Sequence, residues 1–207
     1  TSHPNEMTDN LIECFKNIDK LSKFLHLPIQ SGSDRILSAM KRNYTVLEYK
    51  SIIRKLKKVC PEVTLSSDFI IGFPNETESE FNETKKILQD INFDYSFSFL
   101  YSPRPGTPAS FIEDNIPKDI KEKRLHEFKE LNNQLGKQFT KNMIGTKQRV
   151  LIDSLSNNNQ NRMKGKTDNN RIVEVDYDEQ LFNELITVEI KGFTGKNLFG
   201  IAVKNEN

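Results

Sequence analysis

Two apolar patterns alternate along the first two thirds of the chain, one recurring every three or four positions and one crowded into short runs. Leu11, Ile12, Phe15 and Ile18 follow Thr8 at helical spacing, and Thr8 is suited to cap them. Residues 24–29 then read as a brief strand that Gly32 breaks, with Ser33 placed to cap a short helix at 36–40. Thr45 opens a further helix whose apolar face is Val46, Tyr49, Ile52, Ile53, Leu56 and Val59. Its other side carries Lys50, Arg54, Lys55, Lys57 and Lys58, which reads as a solvated face. Residues 63–71 form a second strand, rich in β-branched and aromatic residues without clean alternation, as expected of a parallel strand buried on both faces. Gly72 and Pro74 stop it, and Thr77 with Glu80 makes a capping box for a helix at 78–91. A third strand at 94–101 alternates Tyr95, Phe97 and Phe99 with Ser96 and Ser98; the aromatic face is expected in the core.

Strands spaced by helices indicate βα units and a parallel sheet, with all strand-to-helix loops at one end. That geometry predicts Gln30, Ser31, Ser33, Asp68, Glu76 and Arg104 around a single mouth. Arg104 lies between Pro103 and Pro105, on a stiff loop suited to a carboxylate or phosphate contact or to pairing with a neighbouring acid. Asp68 is placed equally well to cap loop amides or to touch a ligand, and Glu76 could serve simply as an anionic first-turn residue. Pro117 opens a long helix running to Met143, which closes a first domain at 1–142. Beyond Gly145 the pattern shifts to short β-rich runs at 148–152, 171–175, 185–190 and 198–203. Turns at 157–159, 168–170 and 195–197 separate them, so a small β-barrel is expected at 143–207.

Composition adds limits. At 207 residues and 35% hydrophobic content each domain can bury a core. No run approaches the roughly 18 apolar residues of a membrane span, so a soluble, cytoplasmic protein is expected. Cys14 and Cys60 are 46 positions apart and share no metal-ligand spacing, and His3, His26 and His126 form no metal-binding pair. The net charge of +1 is uninformative, but residues 147–171 hold six basic side chains (Lys147, Arg149, Arg162, Lys164, Lys166, Arg171) against two acidic ones, a local charge of +4. Acids cluster later, at 174–189. A barrel with a basic side for looped RNA and an acidic side is expected, or else a module that only packs on protein.

Three blocks carry a resemblance: His26-Leu27-Pro28-Ile29-Gln30-Ser31-Gly32-Ser33-Asp34, then Ser67-Asp68-Phe69-Ile70-Ile71-Gly72-Phe73-Pro74-Asn75-Glu76-Thr77, then Tyr101-Ser102-Pro103-Arg104-Pro105-Gly106-Thr107-Pro108-Ala109. In this order they resemble the radical-SAM methylthiotransferases, most nearly the MiaB type that modifies tRNA, and the tail resembles the TRAM domain that follows the barrel there. The implied fold is α/β, the C-terminal half of a radical-SAM (β/α) partial barrel followed by a small all-β, OB-like TRAM barrel.

The resemblance implies transfer of a methylthio group to C2 of an isopentenylated adenosine beside the anticodon. Sister branches act on threonylcarbamoyl-adenosine or on a ribosomal-protein aspartate, and a non-catalytic RNA-binding module is a further alternative. It also implies S-adenosylmethionine and two 4Fe-4S clusters held by cysteine thiolates. Their CxxxCxxC ligands are absent, so the chain is expected to be inactive alone and to need an N-terminal half of the same enzyme, preceding Thr1. No catalytic residue and no metal ligand is therefore assigned. The expected cofactor-binding residues are Gln30, Ser31, Ser33, Asp68, Ile70, Gly72, Phe73, Glu76 and Arg104. The expected partner is the tRNA anticodon stem-loop, bound by a complete, monomeric enzyme.

Overall fold

Hydroxyl caps set where the helices of the first half begin. In the computed structural model, which describes residues 2–156, 161–195 and 197–203, Thr8 caps α1 (Asp9–Asn17) and Ser33 caps α2 (Asp34–Ala39). Full capping boxes, Thr45 with Glu48 and Thr77 with Glu80, open α3 (Val46–Val59) and α4 (Glu78–Ile91). Between them run three parallel strands, β1 (Phe24–His26), β2 (Thr64–Ile71) and β3 (Tyr95–Leu100), with β2 in the middle. A long helix, α5 (Lys118–Asn142), follows. The chain divides into two compact units, Thr1–Gly136 and Lys137–Asn207.

In the first unit the helices cover one face of the sheet. Leu25, Leu27, Ile29, Phe69 and Ile71 pack against Tyr49, Ile53, Phe81, Leu88 and Phe128, with the Phe69 and Phe128 rings 4.9 Å apart. The Tyr49 hydroxyl donates to the Leu27 carbonyl at 2.8 Å, so the largest polar group in this core is satisfied.

The opposite sheet face departs from expectation twice. β2 is not buried equally on both sides: Leu65, Ser67, Phe69 and Ile71 are buried, whereas Asp68 and Ile70 on the other face are partly open. On β3 the faces are reversed. Phe97 and Phe99 are 50% and 54% exposed, whereas Ser96 packs inward with its hydroxyl 2.7 Å from Asn132 Oδ1 on α5. Alternation shows that a strand has two faces but not which one a helix covers. On α3, Lys50 pairs with Asp90 and Lys55 with Asp9, so part of that basic ridge is ion-paired.

The second unit is a closed barrel of β4 (Lys147–Leu155), β5 (Arg162–Thr167), β6 (Ile172–Asp176), β7 (Leu185–Thr194) and β8 (Asn197–Ala202), ordered β4-β5-β6-β8-β7. Val150, Ile152, Met163, Val173, Val175, Val188, Ile190 and Leu198 fill it. β5 has no counterpart in the sequence reading, because its inward positions are Met163, Gly165 and Thr167 rather than an apolar run. Gly165 is required there: a Cβ would lie 2.2 Å from the Leu151 carbonyl oxygen. The turn expected at 157–159 lies outside the described residues.

Candidate functional site

The C-terminal ends of the three parallel strands open onto a cleft of about 630 Å³. It is lined by Gln30 beyond β1, Asp68 and Ile70 on β2, Phe73 in the following turn, Phe99 and Leu100 at the end of β3, and Tyr101, Ser102, Arg104, Thr107 and Ala109 after it. Met40 and Arg42, between α2 and α3, complete it. Such crevices outside the carboxyl ends of parallel strands are where α/β sheets place ligands.

Five of the nine expected cofactor residues, Gln30, Asp68, Ile70, Phe73 and Arg104, line this cleft, and four do not. The Ser31 hydroxyl lies 3.3 Å from Thr84 Oγ1 and accepts the Ser33 N–H. The Ser33 hydroxyl caps α2 and donates to Glu80 Oε1 at 3.1 Å. Both hydroxyls are thus occupied in fastening the strand end to α4. Gly72 has φ +73°, and a Cβ there would lie 2.9 Å from Lys121 Cγ on α5. The Glu76 carboxylate is buried, with Oε2 accepting the Gly72 N–H at 3.1 Å and lying 3.5 Å from Arg124 Nη1. Gly72 and Glu76 therefore make contact with α5 and support the wall from behind.

Asp68 is oriented from its own sheet face. His26 stands between Ser66, whose hydroxyl is 2.7 Å from Nδ1, and Asp68, whose Oδ2 is 3.5 Å from Nε2. The imidazole spans the Ser66 and Asp68 positions of β2, leaving Asp68 as an acceptor on the cleft. On the same cleft, the hydroxyl of Tyr101 is buried without a partner among the described residues, and burial followed by the nearby Asp114 charge pushes its pKa up.

One carboxylate pair behind the cleft is strongly polarised. Glu80 takes a bidentate pair from Arg35, at 2.6 Å to Oε1 and 2.7 Å to Oε2, together with the Thr77 amide and hydroxyl; the Arg35 contacts lead in holding its pKa down at about 2. Glu76, by contrast, is pushed up to about 7 by burial, against the opposing pull of the Gly72 amide and Arg124. Its Oε1 has no partner among the described residues.

On the barrel the six expected RNA-contacting cations do not form an uninterrupted basic side. Arg149 pairs with Asp168 at 2.9 Å, and Arg162 lies 3.9 Å from Glu174 and 3.5 Å from Asp176 across the β5–β6 ladder. Arg171 donates to Thr140 Oγ1 and sits over the Phe139 ring. The acids that the sequence places on the far side are cross-strand neighbours of the bases. What the outer surface does present is a lateral row, Leu185, Leu151, Lys166 and Ile172, one from each of four adjacent strands and all exposed; Lys164 is in the next row, and Lys147 is also exposed on β4. Aliphatic groups beside cations suit a ligand with both flat apolar faces and negative charge.

Comparison with known proteins finds a family match within each unit. Residues 2–88 match the radical SAM superfamily and residues 141–203 match the TRAM domain. The solved structure of coproporphyrinogen III oxidase from Escherichia coli, a radical SAM enzyme, superposes with a TM-score of 0.53 over 65% of this chain and 31% of its own, at 17% identity, which supports the fold. The chain is also similar to three curated tRNA-2-methylthio-N(6)-dimethylallyladenosine synthases. It is 54% identical to that of Methylobacillus flagellatus over 92% of this chain, 48% identical to that of Coxiella burnetii over 97%, and 45% identical to that of Yersinia pestis over 100%. These matches cover 43%, 46% and 44% of the relatives, so the chain spans somewhat under half their length.

Proposed function

We propose that this chain supplies the S-adenosylmethionine-facing wall and the RNA-binding barrel of a tRNA methylthiotransferase acting on an N6-dimethylallyladenosine beside the anticodon. The observation that carries the reading is the cleft at the strand ends, polar at Asp68 and Arg104 and apolar at Ile70, Phe73 and Phe99. It belongs to a chain whose other unit matches a TRAM domain.

The fit differs between the two implied cofactors. The cleft suits an adenosyl sulfonium: Ile70 and Phe73 offer an apolar edge for a purine, Asp68 and Gln30 offer partners for ribose hydroxyls or an ammonium, and Arg104 offers a partner for a carboxylate. The residues do not fit an iron–sulfur cluster. Cys14, within α1, and Cys60, the cap that ends α3, are both free, and no group of three metal-ligating side chains occurs among the described residues. This chain's contribution is binding, orientation and exclusion of water. The 4Fe-4S chemistry of the family would require ligands from outside these residues.

The test uses a protein of the relatives' full length that carries this chain. Asp68→Asn and Arg104→Ala should each weaken S-adenosylmethionine about tenfold, the loss of roughly one charge-assisted hydrogen bond, measured by equilibrium dialysis. Transfer RNA isolated after reaction should gain a methylthio group by mass spectrometry. Normal cofactor affinity in both variants would move the site elsewhere, and unmodified tRNA would remove the substrate.

A further inference from the structure

Arg42 stands where two cavities meet. It lines the cofactor cleft and also a smaller crevice of about 320 Å³, whose other walls are Ser2, His3, Pro4, Pro28 and Gln30. This volume lies at the lower end of the ~300–1,000 Å³ typical of ligand pockets. The crevice is mostly apolar, and the His3 ring meets the Tyr44 ring edge-on at 5.5 Å, its Nδ1 occupied by the Asn5 N–H.

The mount of Arg42 is rigid. Backbone bonds from Met40 to Ile36, Lys41 to Ser38 and Arg42 to Leu37 close the end of α2, and Lys41 takes a left-handed φ of +60° to allow the reversal. Two residues on, buried Tyr44 donates to the Ile29 and Pro28 carbonyls, tying the segment to the strand end. Yet the guanidinium has no acidic partner among the described residues. A half-buried cation on a backbone held in place, without an acidic partner among the described residues and beside an apolar slot, is the chemistry of an anion site adjoining a ring site.

We propose that Arg42 holds a phosphodiester of the substrate RNA and that a base adjoining the target nucleotide occupies the crevice formed by His3, Pro4 and Pro28. This subsite rests on the reading of the chain as part of a tRNA-modifying enzyme. Single-stranded loops are recognised by splaying bases onto ring surfaces while cations hold the backbone. Arg42 would serve this role because the cleft already has a separate arginine, Arg104, for the carboxylate of its cofactor.

The experiment is fluorescence anisotropy of a labelled anticodon stem-loop carrying N6-dimethylallyladenosine, titrated across a salt series with the full-length protein. Arg42→Ala should weaken binding about tenfold at low salt and lower the slope of log K against log salt by about 0.7–0.9, one phosphate contact. Arg42→Lys should keep the slope. His3→Ala should cost about fivefold or more without changing the slope, as loss of a stacked base does. S-adenosylmethionine affinity should be unchanged in His3→Ala and should fall less than RNA affinity in Arg42→Ala, because Arg42 also borders the cofactor cleft. RNA affinity and slope equal to wild type in Arg42→Ala would overturn the subsite, and so would a loss confined to S-adenosylmethionine binding. Wild-type protein that ignores the RNA would overturn the tRNA reading itself, and the subsite with it.

Discussion

Replacing Gly32 by Ala should destabilise the first unit by about 3 kcal/mol or more, the upper part of the range for forced overpacking, and lower its melting temperature by about 6–12 °C. The added Cβ would sit 2.4 Å from the Glu83 carbonyl oxygen and 2.6 Å from Thr84 Cα, both backbone atoms inside α4. A side chain could rotate away, but a helix backbone has to translate. Translation would break the bond from the Gly32 N–H to Thr84 Oγ1 at 3.0 Å and the Ser31–Thr84 hydroxyl contact, two of the ties between strand end and helix. Gln30, two residues away, lines the cleft, so cofactor affinity should fall along with stability. Gly136→Ala is the control. Its Cβ meets only the Asp94 carbonyl oxygen at an ordinary 3.7 Å, in mid-helix. The same chemical change should there stabilise by about 0.5–1 kcal/mol. Thermal unfolding followed by tyrosine signal separates the cases, since four of the five tyrosines lie in residues 1–136. Equal melting temperatures for Gly32→Ala and wild type would mean that α4 is not seated against residue 32.

That contact was only half legible in the sequence. The strand, the Gly72–Pro74 break and the capping box at Thr77 and Glu80 are written locally, in spacing and in residue type, and the structure keeps them. Topology puts Gln30, Asp68 and Arg104 at strand ends, and all three line the cleft; Ile70 and Phe73, expected there only from the resemblance, line it too. Direction within a loop is different. Ser31, Ser33, Gly72 and Glu76 share the same loops but spend their polar groups on α2, α4 and α5, partners 46 or more residues away in most cases. No local pattern encodes those pairings. Met40 and Arg42 were missed for a related reason: they reach the cleft only because α2 ends in a left-handed reversal at Lys41, a residue type that gives no such signal. On β3 the alternation was plain, but the identity of the covered face depended on Asn132 of α5, which meets Ser96.

The two carboxylates behind the cleft make the pH dependence of the first unit a test of how the wall is built, because they act with opposite sign. Glu80 is held at about 2 mainly by Arg35, so the stability it contributes is present above its ordinary value near 4.5 and is lost as the pH falls from there toward 2. Arg35 is 54% exposed while Glu80 is only 11% exposed, so solvent screening cuts this contribution to about 1–2 kcal/mol. Glu76 is an acid raised to about 7 by burial; the folded state binds its proton more tightly than the unfolded chain does. Stability must then fall as the pH rises from about 4.5 to about 7, by up to about 3 kcal/mol, and level off above. Together the pair predicts a maximum near pH 5 for their share of the stability. Glu76→Gln keeps an oxygen for the Gly72 N–H and removes the ionisation. Urea unfolding of the variant should lose the decline between pH 5 and 8 while keeping the acid-side loss that belongs to Glu80. Parallel profiles for wild type and Glu76→Gln would mean that Glu76 stays ionised in the fold. Arg124 and the Gly72 amide, rather than burial, would then control the group that sets the turn carrying Phe73 into the cleft.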